Sequence, residues 1–276
     1  MSLYSNSKIT LFSLLIILNS CNTNEIRKEF SVIAFYSGEN DLAHISFIDE
    51  AHRWFTKIGE IQNFSYDSTN DWKNLNIDFL STYDIVLFLD IRPEDPSQRE
   101  AFEKYMNNGG AWIGFHFAGF SLQNSAYDTD WDWDWYHNEF LGSGEYKGNT
   151  WRPTSAVLKV ENQDHPITKN LPSTFNSAPN EWYSWHNDLT ENPDIDILVS
   201  IDPSSFPLGT GPKEWEIWTE GYYPVIWTNN NYRMLYVNMG HNDMDYDGGT
   251  NLPLSSTFNS NEQNTLLINA LNWLGQ

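Results

Sequence analysis

Thiols are almost missing from this 276-residue chain, which has a single cysteine, Cys21. No intramolecular disulfide can form, so stability has to come from a hydrophobic core. Basic residues are scarce as well. There are 15 Lys and Arg against 37 Asp and Glu, a formal net charge of −22. Such a surface repels nucleic acid and other anionic polymers, and it suits a neutral substrate or one that needs a cation. Nothing resembles a linker, and the length fits one large domain. Aromatic residues, by contrast, are plentiful: 13 Trp, 14 Tyr and 16 Phe. That is enough for a large core, with aromatic side chains left over for a binding surface.

Residues 9–18 are mostly apolar but too short to span a bilayer as a mature helix, and Lys8 precedes them. The tetrapeptide LNSC at 18–21 follows, and resembles the lipobox of a bacterial lipoprotein signal with Asn in its second position. The expected organisation is a signal peptide over 1–21, a lipid on Cys21, a polar tether over 22–29 and a single domain over 30–276. The expected location is the bacterial cell envelope, lipid-anchored, facing the periplasm or the cell surface. The alternative is an ordinary secretory signal without an anchor. Loss of Lys8 with the leader leaves 14 basic against 37 acidic residues, a net charge of −23.

Residues 30–36 form an apolar, β-rich run of the kind found in a parallel strand buried on both faces. His44 is placed in the loop after it, and 48–58 has helical spacing. A second strand is expected near 63–67, a short helix or turn over 72–80, and a buried strand over 83–89. Ser97 and Glu100 have the spacing of a capping box for a helix over 98–106. The sequence GGAWIGFHFAG over 109–119 then reads as a buried strand that stops at a tight turn and presents His116 at its C-terminal end. Ligands bind at that edge of open α/β sheets. The shape resembles a nucleophile elbow in which histidine replaces the usual Ser or Cys. Further strands are expected at 156–160, 195–201, 224–227 and 234–239, the last two paired across the asparagines at 229–231, with a terminal helix over 261–274. In the alternating stretch DTDWDWDWY at 128–136, Trp131, Trp133 and Trp135 either line a sugar site or pack on the domain.

Five motifs occur in order: GGAWIGFH at 109–116, HPIT at 165–168, NEWY at 180–183, PVIW at 224–227 and LYVNMGH at 235–241, with LNW at 271–273 in the closing helix. Together they resemble the ThuA-like (trehalose utilisation) family. The resemblance implies a three-layer α/β/α, flavodoxin-like fold with a mostly parallel central sheet, similar to class I glutamine amidotransferases. It also implies a role with carbohydrate, in sugar or keto-glycoside utilisation. The chain departs from the family pattern at Asn180, where an Asp commonly precedes the Glu, and at Trp182, which intervenes before Tyr183.

With Cys21 in the leader, Cys-dependent amidotransferase chemistry is excluded. His44, His116, Glu181 and His241 are the expected groups at the sheet edge, with His116, Glu181 and His241 as catalytic candidates. His44, His116 and His241 are also candidate ligands for a divalent metal such as Zn²⁺. Without a metal the same set acts as general acid and base, in lyase- or hydrolase-like chemistry on a glycoside or keto-glycoside. His44, Trp131, Trp133, Trp135, Tyr183 and His186 are the expected substrate contacts, and His52 and His165 are expected to be structural. The competing reading is a non-catalytic, sugar-binding surface lipoprotein. The sequence DMDYDG at 243–248 matches the front of a calcium loop, but Leu254 stands where an EF-hand requires Glu.

Overall fold

A computed structural model of the chain describes residues 28–39, 41–122, 133–150, 152–205, 218 and 220–276. Cys21, the leader and Trp131 lie outside the described residues. Among those described, no helix is long and apolar enough to cross a membrane.

Five strands run parallel at one end of a nine-stranded sheet: β1 (Ser31–Phe35), β2 (Ser65–Thr69), β3 (Ile85–Leu89), β4 (Ala111–Phe115) and, far later in the chain, β11 (Arg233–Val237). The full order is β2-β1-β3-β4-β11-β10-β9-β6-β7. The second half, with β6 (Val157–Val160), β7 (Thr174–Asn176), β9 (Ile195–Ile201) and β10 (Tyr223–Asn229), is joined by antiparallel pairings. By direction only β10 and β6 oppose the rest, so the sheet is mostly parallel in orientation although half its pairings are antiparallel. Two further strands, β5 (Tyr146–Asn149) and β8 (Tyr183–Trp185), form a separate antiparallel ribbon.

The uninterrupted apolar run IVLFL of β3 is explained by burial on both faces. Alternate side chains enter two cores: Ile85, Leu87 and Leu89 pack with helices α1 (Leu42–Ile61) and α4 (Asn261–Leu274), and Val86 and Phe88 pack with α2 (Ile77–Leu80) and α3 (Pro96–Asn107). Gly114 of β4 makes room for the fully buried Trp112, whose indole lies 2.0 Å from where a Cβ at position 114 would sit.

Two helix starts differ from the sequence expectation. Helix α1 begins at Leu42, six residues before the apolar stripe, because Asp41 caps it by accepting from the Ala43 amide at 2.8 Å. His44 is therefore in the first turn of a helix and not in a loop. Helix α3 is capped by Asp95, with Pro96 at its first position, and Ser97 donates to that cap from inside the helix. Glu100 pairs with Lys104 at 2.6 Å instead of closing a capping box.

Candidate functional site

Strand order places four chain segments at one edge. The chain leaves β1 toward β2 on one side, and leaves β3 toward β4 on the other. The crevice at such a reversal, outside the strands' C-terminal ends, is where α/β sheets hold ligands. His44 follows β1, Asp90 directly follows β3, His116 directly follows β4, and His241 lies four residues past β11.

Asp90 is the hub. It is fully buried. Its Oδ1 accepts from His116 Nδ1 at 2.9 Å and from the Phe117 amide at 2.8 Å. Its Oδ2 is bonded to His44 Nδ1. A carboxylate can only accept here, which assigns the proton on both histidines to Nδ1 and directs His44 Nε2 toward Asp41 and the buried His116 Nε2 toward Glu181. His116 Nε2 lies 3.2 Å from Glu181 Oε2, an ion-pair distance without hydrogen-bond alignment. Glu181 is fixed through Oε1 by Asn149 Nδ2 at 2.6 Å. Tyr183 lies against the His116 ring with centroids 4.0 Å apart. His241 meets His44 edge-on, with centroids at 4.7 Å.

Burial and charge set the protonation states. Burial alone lowers the His116 pKa, but the adjacent Asp90 carboxylate, its hydrogen bond and Glu181 together raise it to about 9. For His44, too, burial acts downward and is outweighed by Asp90, so its pKa is raised. Burial pushes Glu181 up, yet His116 and the other histidines hold it below the usual carboxylate range. His241 differs: burial dominates and its pKa is lowered. At neutral pH the edge thus carries a charged imidazolium at His116, an ionised Glu181 and a neutral His241.

The backbone carries strain at the same places. Six described non-glycine residues have positive φ: Asn63, Asp90, His116, Asn170, His241 and Asn251. Asparagine tolerates that region well. The three that are not asparagine are Asp90, His116 and His241, all members of the site. Strained residues of this kind persist where the surrounding structure holds them, and they cluster at functional sites.

Of the residues expected from sequence, the structure brings together His44, His116, Glu181, His241 and Tyr183. Trp133 stacks on Tyr136 at 4.3 Å and under the Arg99 guanidinium, and Trp135 stacks on Phe140 at 5.0 Å, so both belong to the core side of their segment. His186 is exposed and lines a separate cavity of about 550 Å³ with Ser184, Trp185 and Tyr222. Tyr183 of β8 faces His116, while the next residues, Ser184 and Trp185, line the cavity. His52 bonds Tyr66, and His165 accepts from the Ile167 amide, in line with structural roles. Asp243 and Asp247 are held by Arg152 at 3.2 and 3.4 Å.

The proposed metal trio is divided. Ligand atoms approach within 4.8 Å of one another in two sets among the described residues, Asp41–His44–His241 and His44–Asp90–His116. Sequence reasoning missed Asp90, Asp41 and Asn149. Asp90 had a legible signal, a carboxylate immediately after the strongest buried run. Asn149 had none.

A mixed α/β fold built on a large, mostly parallel sheet defines the class. The trehalose utilisation (ThuA) family profile matches residues 32–252, and the chain belongs to that family. It is 33% identical to a ThuA-like protein of known structure from Bacteroides uniformis, with a TM-score of 0.76 over 90% of this chain and 92% of that one. A ThuA-like protein from Parabacteroides merdae is 19% identical, with a TM-score of 0.64 over 90% and 91%, and shares the fold. No curated protein matches the chain.

Proposed function

We propose that this protein acts on a carbohydrate, in sugar or keto-glycoside breakdown, by acid–base chemistry at the sheet edge. The observation that carries the reading is the approach of His116 and Glu181 to each other at the sheet edge, with their other atoms tied to Asp90 and Asn149. A general acid and a general base whose environments drive their pKa values apart are the pair needed to remove a proton beside a ketone and expel a glycosidic oxygen. Glu181 takes the proton and the His116 imidazolium supplies one to the leaving or enolising oxygen, with His241 beside them as a neutral imidazole. Tyr183 packs against His116 and limits its rotation. The fold is read as flavodoxin-like: the order β2-β1-β3-β4, with helices on both faces, supports this. On this reading His116 stands at the elbow where a nucleophile would sit, and no thiol chemistry is assigned.

The test is turnover on a panel of glycosides and keto-glycosides, paired with calorimetry. His116→Ala is expected to lose at least a hundredfold in kcat while sugar affinity changes little, in the range typical for a general acid. Sugar binding without turnover by the unaltered protein would leave a sugar-capturing protein, and neither binding nor turnover would end the carbohydrate reading. We further propose one domain over 30–276 on a short tether from a lipidated Cys21, at the cell envelope. Cys21→Ser is expected to move the protein from the membrane to the soluble fraction and to abolish labelling by a fatty-acid probe. Unchanged partition would remove the anchor.

A further inference from the structure

We infer that Asp41, His44 and His241 form a binding site for one divalent first-row transition metal, Zn²⁺ or a similar ion, at the sheet edge. The inference does not depend on the substrate being a sugar.

Asp41 is divided in its duties. Its Oδ1 accepts from the Ala43 amide as the helix cap. Its Oδ2 faces His44 Nε2 at 3.5 Å, too long for a hydrogen bond. Two ligands about 2.1 Å from a tetrahedral ion sit roughly 3.4 Å apart, so the gap is the one a shared metal leaves. His44 is already arranged as a ligand. Its Nδ1 is tied to the Asp90 carboxylate, which fixes the ring and turns the Nε2 lone pair outward. Metal-bound histidines characteristically have a carboxylate on the second nitrogen, and that partner raises their basicity. His241 brings the third donor: its ligand atom lies within 4.8 Å of both others, and its buried Nδ1 has no hydrogen-bond partner. The ring stands almost perpendicular to that of His44, at 87°. The left-handed backbone at His241 supplies the turn that brings it back over the edge.

The positive end of the α1 dipole opposes a cation here. Two carboxylates, Asp41 and Asp90, outweigh it. Two imidazoles and one carboxylate suit Zn²⁺, Mn²⁺ or Fe²⁺, and they leave at least one coordination position open to water or a substrate oxygen. The competing set, His44–Asp90–His116, is spent internally: both imidazole Nδ1 atoms and three of the acceptor sites on Asp90 already have partners.

Metal binding can be measured without any substrate. The protein is stripped with a chelator, then titrated with Zn²⁺ by calorimetry, with metal content after dialysis by mass spectrometry. One equivalent is expected. Asp41→Asn keeps a good helix cap but removes a charged ligand, so its fold should be retained. It is expected to weaken Zn²⁺ binding at least tenfold, as is His241→Gln, while His116→Gln leaves the affinity within a factor of three. No stoichiometric binding would overturn the site. So would retention of affinity in Asp41→Asn and His241→Gln, or loss of binding in His116→Gln, which would move the ion to the inner set. Circular dichroism of each variant reports folding independently, and failure of the sugar assay leaves all of these outcomes readable.

Discussion

His116 stays in place because the residue beside it in space has no side chain. A Cβ on Gly240 would lie 2.9 Å from the His116 Cβ, and Gly240 has φ +147°, which side chains rarely adopt. Gly240→Ala is therefore expected to displace His116 from Asp90 and Glu181. The expected cost is about 1–3 kcal/mol of stability, read as a lowered Tm, together with loss of the turnover assigned to His116. An unchanged Tm would show that the turn relaxes without strain. Individual residue roles were only partly legible from the sequence. GGAWIGFH announces a strand that stops at a tight turn, so His116 could be picked out locally. Asp90 is one of many acids in an acidic chain, and its importance comes from accepting from two histidines that lie 46 and 26 residues away.

At the scale of elements, the strands were legible because a strand buried on both faces is an unbroken apolar run. Ala111–Phe115, Ile195–Ile201 and the helix Asn261–Leu274 fall where periodicity puts them. The start of α1 was not legible, since Asp41 and His44 precede its apolar stripe. The ribbon β5–β8 was missed for a related reason: its strands are three or four residues long and carry no alternation beyond noise. The segments bearing Glu181 and His241 are joined by side chains that sequence cannot pair. Asn180 Oδ1 accepts from the Gly240 amide at 3.1 Å and from the Thr257 hydroxyl at 3.1 Å, and Asn242 bonds Thr257 and Glu50. This accounts for Asn180: an amide there accepts from these two donors and also donates to the Ala178 carbonyl at 2.9 Å, which an ionised Asp cannot do.

For the molecule as a whole, the buried cluster makes stability depend on pH. The folded pKa of His116 is raised to about 9 from 6.5. A group with a raised folded pKa contributes fully below its unfolded value, and that contribution is lost as pH climbs through the folded value. The metal-free protein, kept in chelator, is thus expected to lose stability between about pH 6.5 and 9, by at most on the order of 3 kcal/mol from this group. His44, raised in the same direction, adds to the trend. Denaturant unfolding across that window checks it. Asp90→Asn should flatten the dependence and lower stability at neutral pH, because it removes the carboxylate that both imidazoles share through Nδ1. A slope equal to that of the unaltered protein would show that Asp90 does not set the His116 charge.

The amino-acid sequence by itself determined which runs are buried, where the elbow falls, the acidic balance of charge and the ordered motifs of the family. These are local or additive properties, carried by neighbours in the chain. Only the tertiary structure decided which polar groups meet. Parallel strands bring their C-terminal ends to one edge however far apart they lie in sequence. So Asp41, His44, Asp90, His116, Glu181 and His241 become a single site, while Trp133, Trp135 and His186, equally suggestive as residue types, are carried elsewhere.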